Sequence, residues 1–500
     1  MKIRSVVYRK IVCALLLLAL MVLGCEMDQS FIRQYSAERK FDRCFRNYQK
    51  VMINPAIAST EHFVATATKF REFLASYESN ADSSLAIAEL CKRSYFYLAK
   101  LSGMQGDHRK AVSWYERSLR KFPHDNKHQI QTHLALAHVH QQLLELQLAA
   151  QSYRKVVSKE NFKDLLQTNL QLISIPLTIA RLNQLSGMNG KGNSEYNQAV
   201  AYYTNLVSEN PDSELGFWAQ VQLANSYADQ GDWNHCLKLL ENAVQINPTN
   251  SEIYKVLLFI AEIQSEVRGN LSRSKHYYEK VIEESDDPDI LAKGHFGLAS
   301  LLFKQKKNDE ARTSMLEILD QFPRQGQVGA KVLLAIARSY EQEQKWDRAL
   351  VQYRWLMDTY PLTSAGLYAP LHVANHFKRV GEQDLAETAY MEATQRYFGL
   401  INKYPLSRLA AIAQEYLTIC YSFNEEWDPA LNSARQLYEN YKTIPQIAMG
   451  SLILLAQVHE KNGESDEALE IYEDFLRKFA GHPLAGQIKK RVSTLKSRGR

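Results

Sequence analysis

Residues 217–248 read FWAQVQLANSYADQGDWNHCLKLLENAVQINP, and their spacing decides the fold. Ala224 and Cys236 are small residues twelve positions apart, with Tyr227 and Gly231 between them, and Ala243 and Pro248 follow. The same frame returns as Ala299, Leu302, Ala311, Ile318 and Pro323, and again as Ala337, Tyr340, Ala349, Leu356 and Pro361. Apolar residues at helical spacing on both sides of a turn predict two antiparallel helices per unit. A unit of that size cannot bury its apolar face alone, so neighbouring units must stack. The spacing therefore predicts an all-α solenoid, whose long grooved surface suits the binding of protein better than catalysis.

Working outward, the small residue that opens each second helix recurs as Ala111, Ala149, Ala199, Cys236, Ser274, Ala311, Ala349, Ala386, Ala430 and Ala468. From Ala199 to Ala386 the intervals alternate between 37 and 38 residues. Bulk is excluded there because the two helices cross closely, and added methylenes force strain of roughly 1–3 kcal/mol. One turn on stands Tyr115, Tyr153, Tyr203, Tyr278, Tyr353, Tyr390 or Tyr472, a stripe expected in the core. Pro123, Pro211, Pro248, Pro323, Pro361 and Pro405 fall where second helices should end. Pro176 interrupts an apolar helical pattern and is expected to kink or break it. Residues 186–193 are expected to lengthen a hairpin turn, and the helix after Ala386 is expected to run about two turns past its neighbours, to Tyr404.

These residues resemble the tetratricopeptide repeat family over most of the chain, from about residue 60 to 480. The departure is length, since the usual unit has 34 residues and the extra three or four follow the proline. The resemblance implies a right-handed superhelix of about ten helix-turn-helix repeats. The forms Tyr360-Pro-Leu-Thr-Ser364, Tyr404-Pro-Leu-Ser407 and Asn210-Pro-Asp-Ser213 look like the repeat lipoprotein of the β-barrel assembly machinery, and equally like the Tol-Pal coordinator.

The N-terminus gives the second signal. Lys2, Arg4, Arg9 and Lys10 precede an apolar run at residues 11–23, too short to span a bilayer comfortably as a helix. A charged segment before a short apolar one predicts a secretory signal peptide over residues 1–24. The junction Val22-Leu23-Gly24-Cys25 resembles the bacterial lipobox, which implies cleavage before Cys25 and acylation of that residue, palmitate included. Glu26 follows instead of the aspartate that resembles an inner-membrane retention signal, so the expectation is an outer-membrane lipoprotein facing the periplasm. Residues 25–58 then read as a lipid-linked linker and cap, 59–480 as the repeats, and 481–500 as a basic tail.

The formal charge is +5, but residues 1–24 hold four basic and no acidic residues, and without them 56 basic face 55 acidic residues. No global basic field argues for nucleic acid. Apart from Cys13 and Cys25, the cysteines at 44, 91, 236 and 420 lack metal-ligand spacing. No metalloprotease, serine-hydrolase or phosphate-loop motif is present, and Gly187-Met-Asn-Gly-Lys-Gly192 lacks the spacing a phosphate cradle needs. His133, His138 and His140 do not share one helix face. The reading is of a non-enzyme without cofactor or metal.

In the repeat family the first helix of each unit lines the concave surface. By that resemblance Asn225, Lys293, Lys331, Arg338, Asn375 and Lys378 are the candidate groove residues, implying a site for an acidic or C-terminal carboxylate segment held by charge-assisted hydrogen bonds. Lys304 and Arg379 lie beside them, with Glu262 and Glu341 to balance the charge. A rival reading is capture of a glycan or nutrient, for which only Trp218 and Tyr368 are plausible groove aromatics. A lytic enzyme built on a helical superhelix would need a further catalytic domain, and the repeats run almost to residue 500.

Cys25→Ala is expected to abolish acylation and release the protein from the membrane pellet, read by labelling with a palmitate analogue. Labelling of the variant would show that the lipid sits elsewhere.

Overall fold

The computed structural model describes residues 29–53, 60–159, 162–186, 189–246, 252–442, 444–479 and 484–498. Cys25 and Pro248 lie outside them. Every regular element among the described residues is helical. The chain divides into two compact units, Met1–Val139 and His140–Arg500.

The first unit contains α1 (Gln29–Ile53), α2 (Thr60–Tyr77), α3 (Leu85–Met104), α4 (His108–Lys121) and most of α5 (Asn126–Gln142). Where a linker and cap are expected, α1 is one 25-residue helix. Its Ala37, Phe41, Cys44, Tyr48 and Val51 recur every three or four residues and join Phe70, Phe73, Cys91 and Tyr95 in one buried cluster. Four ring contacts surround Phe41, those with Phe70 and Phe73 edge-on.

The second unit continues with α6 (Leu146–Val157), α7 (Phe162–Thr168), α8 (Ile175–Leu185) and α9 (Asn189–Glu209). Regular hairpins follow. These are α10 (Glu214–Asp229) with α11 (Trp233–Ile246), α12 (Ile253–Glu266) with α13 (Leu271–Glu284), and α14 (Pro288–Lys304) with α15 (Asn308–Gln321). Next come α16 (Gly326–Gln342) with α17 (Trp346–Thr359), and α18 (Ser364–Val380) with α19 (Gln383–Lys403). The last are α20 (Arg408–Phe423) with α21 (Trp427–Tyr441) and α22 (Pro445–Lys461) with α23 (Ser465–Lys478), after which α24 (Ala485–Arg498) closes the series.

All ten small residues that mark the second helices are buried, from Ala111 to Ala468. Their tyrosines are buried too, except Tyr153, which is half-buried. Five residues before nine of those small positions the backbone turns left-handed: Gly106, Leu144, Gly231, Gly269, Lys306, Gln344, Gly381, Glu425 and Gly463. That residue reverses the chain between the two helices, which is why glycine is frequent there. The Ala199 hairpin differs. Its equivalent residue, Ser194, is inside α9, so the expected long turn at residues 186–193 is a correction: from Asn189 onward it is helix. A strong second helix overrides the turn preference of Asn and Gly here. Pro176 does break its pattern, standing in the first turn of α8 after a 3-10 stretch at Leu170–Ser174.

Prolines 211, 361 and 405 end second helices, and two residues later Ser213, Thr363 and Ser407 cap the next helix by accepting from the amides of Gly216, Gly366 and Ala410 at 3.0–3.1 Å. As expected from its length in sequence, α19 runs on to Lys403. Adjacent hairpins are also joined by Arg312, whose side chain is 4% exposed. It meets Glu343 at 2.9 Å, Asp309 at 2.6 Å and the Ser339 hydroxyl at 3.1 Å, and lies over the Tyr340 ring. Cys44, Cys91, Cys236 and Cys420 are free thiols, all buried.

These features set three expected stabilities. Ala349→Leu, at a helix crossing with no exposure, should cost about 1–3 kcal/mol in urea unfolding. Gly381→Ala should cost about 1–2 kcal/mol because its φ is 84°. Gly399→Ala, exposed in α19 with open space around the added methyl, should instead stabilise by up to about 1 kcal/mol. Equal midpoints for the three variants would show that the repeat register is wrong.

Candidate functional site

Every described residue assigned to the groove stands on a first helix: Asn225 on α10, Lys293 on α14, Lys331 and Arg338 on α16, Asn375 and Lys378 on α18. The structure does not leave all of them open to a ligand. Lys293 is paired with Asp289 one turn back on its own helix. Lys378 donates to the Phe423 carbonyl and reaches Glu425 at 3.3 Å, so it ties α18 to the end of α20. The Asn375 carbonyl accepts from the Tyr390 hydroxyl at 2.6 Å, which makes it a strut within its hairpin. Asn225 is half-buried. Lys331 and Arg338 are exposed, and among the described residues neither has a carboxylate within ion-pair distance. Lys304, the flanking cation, is held by Glu266 at 2.8 Å.

Between α16 and α18 lies a network that spacing alone did not assign. Glu341 accepts from the Tyr353 hydroxyl at 3.0 Å and meets His372 Nε2 at 3.0 Å. The other ring nitrogen of His372 lies 2.6 Å from the Tyr368 hydroxyl. Arg379 comes within 3.5 Å of Glu341, and His376 within 4.0 Å. Burial pushes the Glu341 carboxyl up, but the His372 and Tyr353 hydrogen bonds outweigh it and hold the group below its ordinary value. His376 is shifted down by burial and then by Arg379, and it stacks flat on Trp346 with ring centroids 3.2 Å apart. The Arg338 guanidinium lies 5.8 Å from the centre of the Tyr368 ring.

Beside this network a shallow cavity of about 420 Å3 is lined by His372, Asn375, His376, Lys378, Arg379 and Phe423, so it lies between α18 and the end of α20, first helices of adjacent hairpins. Lys331 stands close enough to Glu262 to oppose the upward shift that burial gives that carboxyl. Such a surface supplies cations, ring faces and amide groups. Among the described residues no group of three or more metal-ligating side chains is placed to hold an ion. The signal in sequence for the missed network is the pair His372 and His376, four residues apart and thus on one helix face.

A second cavity, of about 730 Å3, lies within the first unit against α3 and α5. Phe96, Tyr97 and Leu134 are among its lining residues, but two of its cations are already engaged: Lys92 with Asp125 and Arg93 over the Phe41 ring.

Comparison with known proteins bears on the hairpins. Family models described as tetratricopeptide repeat match residues 295–324 and 451–478, which cover parts of α14–α15 and α22–α23. Both segments are tetratricopeptide repeats. The solved structures that the chain resembles include yeast Tom70, at 14% identity over 94% of this chain and 97% of that one, with a TM-score of 0.41. A tetratricopeptide repeat protein of Parabacteroides merdae follows at 16% identity, over 56% of this chain and 98% of the other, TM-score 0.32. The human IFIT1 dimer with PPP-AAAA shares 17% identity over 77% and 90%, TM-score 0.28. No curated protein sequence matches the chain. Tetratricopeptide repeats are typical of non-enzymatic interaction scaffolds, and no catalytic family is indicated.

The lowered Glu341 carboxyl has a stated pH consequence. In the unfolded chain the group takes up its proton near the ordinary value of 4.5, before the folded chain does. Its contribution is therefore complete above that pH and lost as pH falls through the folded value. Glu341→Gln should cost about 1–2 kcal/mol at neutral pH, and its stability gap to the wild type should close as acid is added below pH 4.5. A gap that stays constant from neutral pH into strong acid would show that Glu341 carries no coupled proton.

Proposed function

We propose that the chain is a non-catalytic scaffold which docks an acidic protein segment along α16 and α18. The observation that supports this most directly is the contrast among the groove cations. Lys293, Lys304 and Lys378 are engaged within the fold. Lys331 and Arg338 are exposed on the same side of α16, seven residues or two turns apart, without a carboxylate partner among the described residues. Exposed cations of this kind, Arg338 lying over the Tyr368 ring, favour a partner that brings its own carboxylates, and such charge-assisted bonds also fix its register.

The setting of this docking, as we read it, is a bacterial cell envelope. Acylation at Cys25 would hold the scaffold on the periplasmic face of the outer membrane, and the resemblance of its proline-serine turns to those of the assembly-machinery lipoprotein supports a part in outer-membrane protein assembly. Lipidation would restrict the search for partners to a surface.

Reversal of both free cations, Lys331→Glu with Arg338→Glu, should leave the helical circular dichroism signal unchanged and reduce recovery of membrane-extracted partners at least tenfold. The wild type should lose the same partners as salt is raised, since exposed charges are screened beyond roughly 10 Å at 0.1 M. Equal recovery by the double variant would move the docking surface off this face.

A further inference from the structure

The outward side of α1 takes part in nothing described so far. Its inward side is spent on the core through Ala37, Phe41, Cys44, Tyr48 and Val51. Half a turn around the helix stand Ile32, Tyr35, Arg39, Arg43, Arg46, Lys50 and Ile53, all exposed. At 3.6 residues per turn these form one stripe along a helix about 37 Å long. Its N-terminal end is apolar, with Phe31 59% exposed, Ile32 47% and Tyr35 53%. Its middle is basic, with Arg39, Arg43, Arg46 and Lys50 outnumbering the two exposed acids, Glu38 and Asp42.

Some surface cations of this unit are answered by carboxylates, as Arg117 is by Glu78 at 2.7 Å and Lys121 by Asp82 at 2.8 Å. Among the described residues Arg39, Arg43, Arg46 and Lys50 have none within ion-pair distance. Arg39 lies over the Tyr35 ring, and Arg46 turns back to the Asp42 carbonyl of its own helix at 3.4 Å. Ile32 and Tyr35, with Phe31 at their edge, and four cations without a carboxylate partner among the described residues thus lie exposed along one side of α1.

We infer that this face of α1 lies on an anionic lipid surface, with Phe31, Ile32 and Tyr35 entering the headgroup layer and the four cations meeting lipid phosphates. The chemistry matches a helix lying in a bilayer interface: apolar and aromatic side chains for the acyl boundary, cations for anionic headgroups. A flat stripe also matches a plane better than it matches a groove. The geometry rests in part on the acylation reading, because Gln29 stands four residues after Cys25. Four residues reach at most about 14 Å, so a lipid on Cys25 would hold the apolar end of α1 at the membrane. A second signal of this kind is what converts a marginal acyl anchor into a stable one.

The test uses the full chain from residue 26 onward, without lipid, so that acylation plays no part. In sedimentation with vesicles it should bind those containing phosphatidylglycerol, ignore those of phosphatidylcholine alone, and detach as salt rises. Arg39→Glu, Arg46→Glu and Lys50→Glu together should lower the vesicle partition coefficient at least tenfold with the circular dichroism spectrum unchanged, given roughly fivefold per cation. Equal binding to both vesicle types, equal binding by the triple variant, or no vesicle binding at all overturns the inference. So does a concentration-dependent dimer that the triple variant abolishes without any effect on vesicles, since the face would then meet a second copy. The result is separable from the anchor: loss of acylation leaves the vesicle assay unaffected, and a failed vesicle assay leaves the Cys25 reading intact.

Discussion

The close crossing of two helices at a residue no larger than alanine, serine or cysteine is the contact on which the rest depends. Ala311, Ala349 and Ala386 have essentially no exposure, and the tyrosine or methionine one turn on is buried with them. Only a small side chain lets the second helix come near enough for that aromatic to reach the neighbouring core. The left-handed residue five positions earlier sets the angle at which the chain returns, so crossing and turn form one unit of geometry. Once it recurs, the first helices are left side by side, and whatever they carry outward becomes a continuous surface.

Much of this was legible because it is local. A steric requirement repeated every 37 or 38 residues leaves its mark in the identity of single positions, as Ala224, Cys236 and Pro211 show. The proline endings and the long α19 follow from the same bookkeeping of helix length. Residues 186–193 depart from expectation because asparagine and glycine signal turns locally, while the helix that absorbs residues from Asn189 on is set by packing. The groove was only partly legible, for a reason of distance. Lys378 meets residues 45 and 47 positions ahead, and Glu341 meets His372 31 positions ahead. Sequence shows which residues face outward from a helix, but not which neighbour in the next repeat will neutralise them.

Ion pairs therefore sort the groove residues into struts and free groups. The struts, Lys378 and Asn375 among them, stiffen the surface, and the Arg312 cluster does the same one hairpin earlier. A surface held by such ties loses little freedom when a segment settles on it, which favours binding by reducing the ordering cost. Tyr353 and Tyr368 help to fix Glu341 and His372, so the cleft wall is preorganised. Much of the local positive charge is already answered by Glu341 and Glu425, and this narrows recognition to the few cations that remain.

The buried thiols have a practical consequence. Burial pushes Cys91, Cys236 and Cys420 up to about 12 and raises Cys44 as well. At neutral pH almost none of each is thiolate, the form that exchanges with disulfides. In an oxidising compartment these cysteines stay inert as long as their hairpins stay closed. Each is then a reporter already in place, because a thiol reagent can modify it only when its own stretch of repeats opens. Cys44 and Cys91 report on the first unit, Cys236 and Cys420 on separate hairpins of the second, so the order of labelling would give the order in which the array comes apart.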